Sequence, residues 1–239
     1  MNILVLGGTG KTGQLIVQKL LKENHNVKVV VRKNSSLPSY IKSEEKLTIL
    51  DGNVLDFSNE QIDSLIEDCD VIVSSLGHNL TFKGMFCNPR FLVTQTLRKL
   101  SIAIQNKKTK NNIKVLLMNS SGVQNRDLNE YISFPQKCII FLLKMLLPPH
   151  LDNEKAADFL RTEITSNNSR IEWVIIRPDS LIDETVGSQY KTFPSPIRSA
   201  IFDAGKTSRI NVAYFMSELI SNNELWQKWK AKMPVLYNE

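Results

Sequence analysis

Three glycines at a spacing of three residues, directly after a short apolar run, constrain this chain more than any other feature in it. Asn2 to Leu6 is a branched, apolar stretch cut off by Gly7 and Gly8, the pattern of a buried strand that ends in a tight turn. Gly7, Gly10 and Gly13 follow in GxxGxxG spacing, and from Thr12 onward Leu15, Ile16, Leu20 and Leu21 recur at the period of an amphipathic helix. Strand, glycine turn and helix in that order form a phosphate cradle. The first glycine permits the sharp turn, the second lets backbone approach a pyrophosphate, and the third lets the helix lie close on the strand. The helix start then points N–H groups and a partial positive charge at the ligand. A glycine-rich structural turn is the plainer alternative. The strand before and the helix after favour a dinucleotide held by Gly7, Thr9, Gly10, Lys11, Thr12 and Gly13.

The end of the second strand bears on which dinucleotide. Val27 to Val31 is apolar apart from Lys28 and runs into Arg32 and Lys33, where an acidic residue would read a free ribose 2′-OH. Two cations there suit a 2′-phosphate, so the expected cofactor is NADPH; the alternative is a pair of solvated surface charges.

Strands and helices alternate from here on. Leu47–Leu50 makes a third strand after a polar connector over Ser35–Ser43, and Asp56 and Ser58 offer N-caps for a helix through Ile62, Leu65 and Ile66. Val71–Val73 is a fourth strand, ending in the small residues Ser74, Ser75, Leu76 and Gly77, which suit either a ribose against backbone or an ordinary turn. A long helix over Cys87–Gln105, a fifth strand over Lys114–Met118 and a sixth over Trp173–Ile176 follow, then a helix over Val212–Ile220. This alternation predicts a single-domain α/β fold over residues 1–239, a doubly wound parallel sheet with helices on both faces. Asp179–Leu181 should face the cleft, and the Gly- and Pro-punctuated stretch 182–208 reads as a variable lid. Trp226, Trp229 and the terminal PVLY should pack the C-terminus down. Cys138–Leu147, with Lys144 as its one charged residue, is expected as a buried helix against the sheet or, alternatively, as an apolar wall or dimer contact.

Composition narrows the function classes. At 239 residues and 42% hydrophobic content the chain has enough material for a substantial core. The N-terminus runs into the first strand with no charged-then-apolar leader, and no apolar stretch is long enough to cross a bilayer, so the expectation is a cytoplasmic protein without a membrane partner. The three cysteines and three histidines are scattered, which fits reduced thiols and gives no metal-ligand spacing. The net charge is +6, but the one dense basic run, Lys107–Lys110, lies in a polar Asn-rich connector, so no nucleic-acid partner is expected.

The motifs GGTGKTG (Gly7–Gly13), VVRK (Val30–Lys33), DGNVLD (Asp51–Asp56), SSLG (Ser74–Gly77) and MNSSGV (Met118–Val123) open a resemblance that continues to the C-terminus. NEKAADFL (Asn153–Leu160), WVIIRPDSL (Trp173–Leu181) and SRINVAYFM (Ser208–Met216) carry it on. The chain resembles an atypical member of the short-chain dehydrogenase/reductase superfamily, in the NAD(P)-binding group of NmrA-like proteins and biliverdin reductase B/flavin reductases. The resemblance implies a Rossmann fold with Asn53 and Val54 beside the adenine, and with Ser75, Leu76, Gly77, Asn119, Ser120, Lys155, Arg177 and Pro178 along the cofactor. It also implies catalytic roles for Ser121, which would hold a substrate carbonyl, and for Lys155, which would hold the ribose. One departure stands out: the family tyrosine four residues before the lysine is Leu151 here. Tyr131 has Pro135 at that spacing, so it or Tyr190 would need the fold to bring it near the site. The implied function is therefore NADPH-dependent reduction of a small carbonyl, quinone or flavin-like substrate by a monomer or homodimer. A non-catalytic NAD(P)-binding sensor and a sugar epimerase or dehydratase are the alternatives.

Overall fold

In the computed structural model, which describes residues 1–33, 35–78, 89–107 and 112–239, β1 (Asn2–Leu6) lies between β2 (Asn26–Val31) and β4 (Val71–Ser74) and pairs in parallel with both. β3 (Leu47–Asp51) extends the sheet on one side. β5 (Ile113–Met118), β6 (Ile171–Pro178), β10 (Val235–Asn238) and β8 (Tyr190–Phe193) extend it on the other. The order is β3-β2-β1-β4-β5-β6-β10-β8, with β8 alone antiparallel to its neighbour. β7 (Ser180–Ile182) and β9 (Lys206–Ser208) form a separate parallel pair.

Alternation along the central strands sends side chains to two cores. Leu4, Leu6, Ile72 and Ile175 pack on one face under α3 (Asn59–Ile66), α4 (Leu92–Asn106) and α6 (Pro148–Asp158). Ile3, Val5, Val73 and Ile176 pack on the other under α1 (Lys11–Lys22), α7 (Arg209–Ser221) and α8 (Asn223–Trp229). A strand buried on both sides has no polar face to show, which is why these runs are continuously apolar. The result is the expected doubly wound α/β sheet. Its chain order turns back at β1, so the β1 and β4 ends open a crevice between helices of opposite layers.

Several expectations are corrected. The polar connector contains a short helix, α2 (Ser39–Lys42), tied down by buried Ile41. Ser58 caps α3 through a reciprocal capping box with Gln61, whereas Asp56 sits in a single 3-10 turn over Val54–Asp56. The expected start of the long helix at Cys87 lies outside the described residues. The stretch 182–208 is more than a lid: Tyr190–Phe193 is the edge strand, and PVLY supplies the strand between it and β6. The apolar stretch forms α5 (Phe134–Leu146), yet Ile140 is its one buried residue, and Phe134, Phe141, Leu142, Met145 and Leu146 are exposed. The sheet face on that side is already covered by α3, α4 and α6, so α5 has no strand to bury itself against.

Candidate functional site

The crevice holds a cavity of about 500 Å³ whose walls come from the ends of β1, β2, β3 and β4. From the cradle come Gly7, Thr9, Gly10, Lys11, Thr12 and Gly13; from β2 and β3 come Arg32, Asn53 and Val54; from β4 come Ser75, Leu76 and Gly77. Glycine is required at two of these places. Gly7 has φ +76°, and a Cβ on Gly13 would stand 2.1 Å from the Gly7 carbonyl oxygen, so α1 reaches its place against β1 only with hydrogen there. Gly10 precedes α1 in extended conformation and provides no side-chain cap, leaving the first turn of the helix directed into the cavity. A pyrophosphate fits such a start, with helix-end N–H groups and no intruding side chain. Asn53 braces the turn after β3 by donating to Asp56 and accepting from the Leu55 N–H.

Some wall residues carried no signal in the sequence. Leu92, Thr96 and Arg209 join the cavity because the tertiary fold brings α4 and the start of α7 to it, and His78 joins it directly after Gly77. Arg209 and Lys11 share one carboxylate: Asp183 accepts from Lys11 Nζ at 2.8 Å and from Arg209 Nη1 at 2.7 Å. The Lys11 hydrogen bond, with the charge of Arg209, holds the Asp183 carboxyl below the usual carboxylate range. Leu181 lines the cavity as expected, but Asp179 does not face the cleft. It is buried and accepts from the Ser121 hydroxyl (3.1 Å) and from the N–H groups of Ser180 and Gly205.

The remaining expected residues lie elsewhere. Arg177 is fully buried, and every N–H of its guanidinium side is taken within the protein. Nε donates to the Met233 carbonyl, Nη1 to Val123 and Glu130, and Nη2 to Glu130 (2.7 Å) and Pro194. It therefore ties β6 to the loops around it, and neither it nor Pro178 is on the first cavity's wall. Lys33 is exposed next to Arg32 without lining the cavity. Ser121 opens instead on a second cavity of about 380 Å³, with Tyr131, Gln136 and Ile197 on its rim. Asn119 donates to the Asn153 carbonyl (2.9 Å) and also accepts from the Ser120 N–H, which joins the end of β5 to α6. Lys155, exposed on the same helix, holds its ammonium 5.2 Å from the Phe91 ring centroid. Tyr131 is 92% exposed, and the Tyr190 hydroxyl donates to Glu218 on α7, so neither takes the place of the absent tyrosine.

One polar cluster beside the cavity was not anticipated. Asp152, fully buried on α6, accepts from His78 Nε2 (2.8 Å), from the N–H groups of Val93 (2.8 Å) and Thr94 (3.0 Å), and from the Thr94 hydroxyl (2.6 Å). Burial pushes its carboxyl up, but the bonds from His78, Thr94 and Val93 outweigh that and leave it below the usual range. A folded value below the unfolded one means that this stabilisation is present above the ordinary carboxylate pKa and is lost as pH falls through the folded value.

The comparisons with known proteins agree with this geometry. A short-chain dehydrogenase/reductase from Veillonella parvula, solved in complex with NADP, superposes with a TM-score of 0.70 at 14% identity, over 99% of this chain and 94% of that one. A candidate NADH-flavin reductase from Streptococcus pneumoniae gives 0.68 at 16% identity over the whole of both chains. ChuY, an anaerobillin reductase from Escherichia coli O157:H7, gives 0.66 at 17% identity over 100% of this chain and 97% of that one. At these identities the likeness establishes the fold. A search of curated proteins finds no match. Among the described residues no helix is long and apolar enough to cross a membrane. The model of a family described as NAD(P)H-binding matches residues 7–223, most of the chain, and the protein belongs to that NAD(P)H-binding family.

Proposed function

We propose that the protein is an NADPH-dependent reductase acting on a small carbonyl, quinone or flavin-like acceptor. The observation that carries the reading is the shared cavity, which is lined together by the glycine cradle, by Arg32 and by Ser75, Leu76 and Gly77 after β4. The bound cofactor supplies the hydride; the chain supplies orientation and a closed surrounding. In this reading the first turn of α1 holds the pyrophosphate, Asn53 and Val54 flank the adenine, and Arg32, with Lys33 behind it, takes the 2′-phosphate. Ser75, Leu76 and Gly77, with Asn119 and Ser120, border the nicotinamide half. Ser121 turns its hydroxyl from Asp179 to the acceptor's oxygen, and Lys155 swings from Phe91 to the ribose.

The cofactor choice is tested by titration. NADPH should bind more tightly than NADH, and the gap should narrow as salt rises, because Arg32 is exposed and its attraction is screened over about 8 Å at physiological ionic strength. Arg32→Ala should weaken NADPH binding by about 1.5–3 kcal/mol and leave NADH almost untouched. Equal affinities in the unmodified protein, or a variant that loses both nucleotides alike, would show that the cation reads no 2′-phosphate. Lys155→Ala is expected to weaken cofactor binding modestly and to remove most turnover; robust turnover in that variant excludes the ribose role.

A second reading is kept by one feature, Leu151 at the position of the family tyrosine. It makes the protein a sensor in which NADPH changes affinity for a protein partner. Tight NADPH binding with no oxidation by any quinone, flavin or aldehyde would favour it.

A further inference from the structure

We propose that α5 docks the protein on an anionic lipid surface, with its outward stripe of side chains among the acyl chains and Lys137 at the headgroups; the proposal does not depend on the reductase reading. In a helix on the surface of a folded protein, polar side chains ordinarily face water and apolar ones the core. α5 is built the other way round. Gln136, Ile140 and Lys144 recur every four residues on its inner side, where Gln136 accepts from the Ser199 hydroxyl (3.0 Å), Ile140 is buried and Lys144 pairs with Glu154 of α6 (2.9 Å). Its polar groups are thus engaged in holding it to the protein. Phe134, Phe141, Leu142, Met145 and Leu146 form the outer stripe, between 52% and 78% exposed, with exposed Cys138 one turn after Phe134.

Together these side chains leave on the order of 600 Å² of apolar surface in one patch, the upper limit of what a soluble monomer ordinarily exposes. The helix is also preformed. Ser133 caps its start by accepting from the Gln136 N–H, Pro135 stands in its first turn, and Pro148 opens the next helix directly after Leu147, so docking has little ordering to do. Its 13 residues span about 20 Å, less than the hydrocarbon core of a bilayer, so it lies in the lipid surface and does not cross it. An interfacial helix of this kind replaces the expectation of no membrane partner.

Charge selects the occupant. From Tyr131 to Leu151 the chain has two lysines, one histidine and no acidic residue, and Lys137 stands exposed at the edge of the stripe in a protein of net charge +6. A second copy set face to face on this stripe would offer Lys137 no carboxylate from the same segment, whereas anionic headgroups would neutralise it. Tyr131, exposed just before the helix, is the kind of amphipathic side chain that settles at headgroup level. The cavity beside Ser121 has Gln136 and Ile140 in its wall and Tyr131 on its rim, so docking through α5 brings that cavity next to the lipid.

Vesicle flotation with the full chain tests this, using phosphatidylcholine alone and phosphatidylcholine in which roughly a third of the lipid is replaced by phosphatidylserine. The protein should float with the mixed vesicles and much less with phosphatidylcholine alone. F141E/M145E should lower the partition coefficient about tenfold or more, and K137Q should lower it about fivefold on the mixed vesicles only. Both variants should keep the thermal midpoint of wild type, because these side chains are exposed. Failure of the unmodified protein to float with the mixed vesicles, or flotation unchanged in F141E/M145E, overturns the proposal. Equal partition of the unmodified protein to both vesicle types overturns it as well, since charge then selects nothing. A dimer in sedimentation equilibrium that F141E/M145E dissociates, in a protein that does not float, would mean that a second copy covers the stripe and the lipid does not.

Discussion

Arg177→Met is expected to lower the unfolding free energy by about 3–5 kcal/mol, because it leaves the Glu130 carboxylate, 3% exposed, without the fork that neutralises it. The change also strips donors from the carbonyls of Met233, Val123 and Pro194, so β6 loses its ties to three separate loops. Chemical denaturation would give the figure, and a second variant isolates its cause. Arg177→Met with Glu130→Gln should recover part of the loss, since the stranded charge is then gone. NADPH affinity of the folded single variant should match wild type, because the guanidinium is enclosed away from the cavity. A tenfold loss of affinity at unchanged stability would return Arg177 to the cofactor contacts.

The glycine cradle separates into a part that serves the fold and a part that serves the ligand. Gly13→Ala should cost about 3 kcal/mol, since the new Cβ meets three backbone atoms of Gly7 and Gly8, at 2.1, 2.8 and 2.9 Å, and backbone cannot move aside as a side chain would. The gain in helix propensity from glycine to alanine, about 1 kcal/mol, is too small to offset it. For a chain of this length the midpoint of thermal unfolding should drop by roughly 6–12 °C. Gly10→Leu should behave in the opposite way. Its backbone sits at φ −74° and ψ 162°, open to any residue, and its Cβ meets only the Gly7 carbonyl at 3.3 Å, so the protein should fold normally. The leucine side chain then stands over the cradle, and NADPH binding should fall below detection. Calorimetry with folded Gly10→Leu protein at wild-type affinity would rule out the cradle as the pyrophosphate site; a Gly13→Ala protein as stable as wild type would mean that α1 does not need its close approach to Gly7.

Charge at the mouth of the crevice is arranged differently from the simple picture of two cations on β2. Arg32 lines the cavity, Lys33 does not, and Arg209 arrives from the far side beside Lys11, with Asp183 between them. All of these groups except Arg209 are largely exposed, so their contribution is to affinity at low salt more than to stability.

How much of this was legible beforehand follows from how locally each feature is encoded. The cradle, the strands β1 to β6 and the alternation of helices were readable because each is set within a few residues: a glycine where the chain must turn, a continuous apolar run where a strand is covered twice, a 3.6-residue period where a helix has one wet side. Arg177 was read from its neighbourhood in RPDSL as a cofactor contact, but its partner Glu130 lies 47 residues away in sequence, and only packing decides which loop closes over a guanidinium. The same holds for His78 and Asp152, 74 residues apart and joined because α6 crosses the end of β4. PVLY is too short to announce itself as a strand, and becomes one because a gap between β6 and β8 offers it hydrogen-bond partners on both sides. For α5 the helix was read correctly and its burial against the sheet was not: an apolar helix has the same sequence whether a sheet covers it or leaves it exposed. The sequence by itself determined the fold class and the glycine turn that leads into α1, which depend on local backbone freedom and hydrophobic pattern. The tertiary structure alone decided which charged and titratable groups face the crevice, since that depends on contacts between residues the chain keeps far apart.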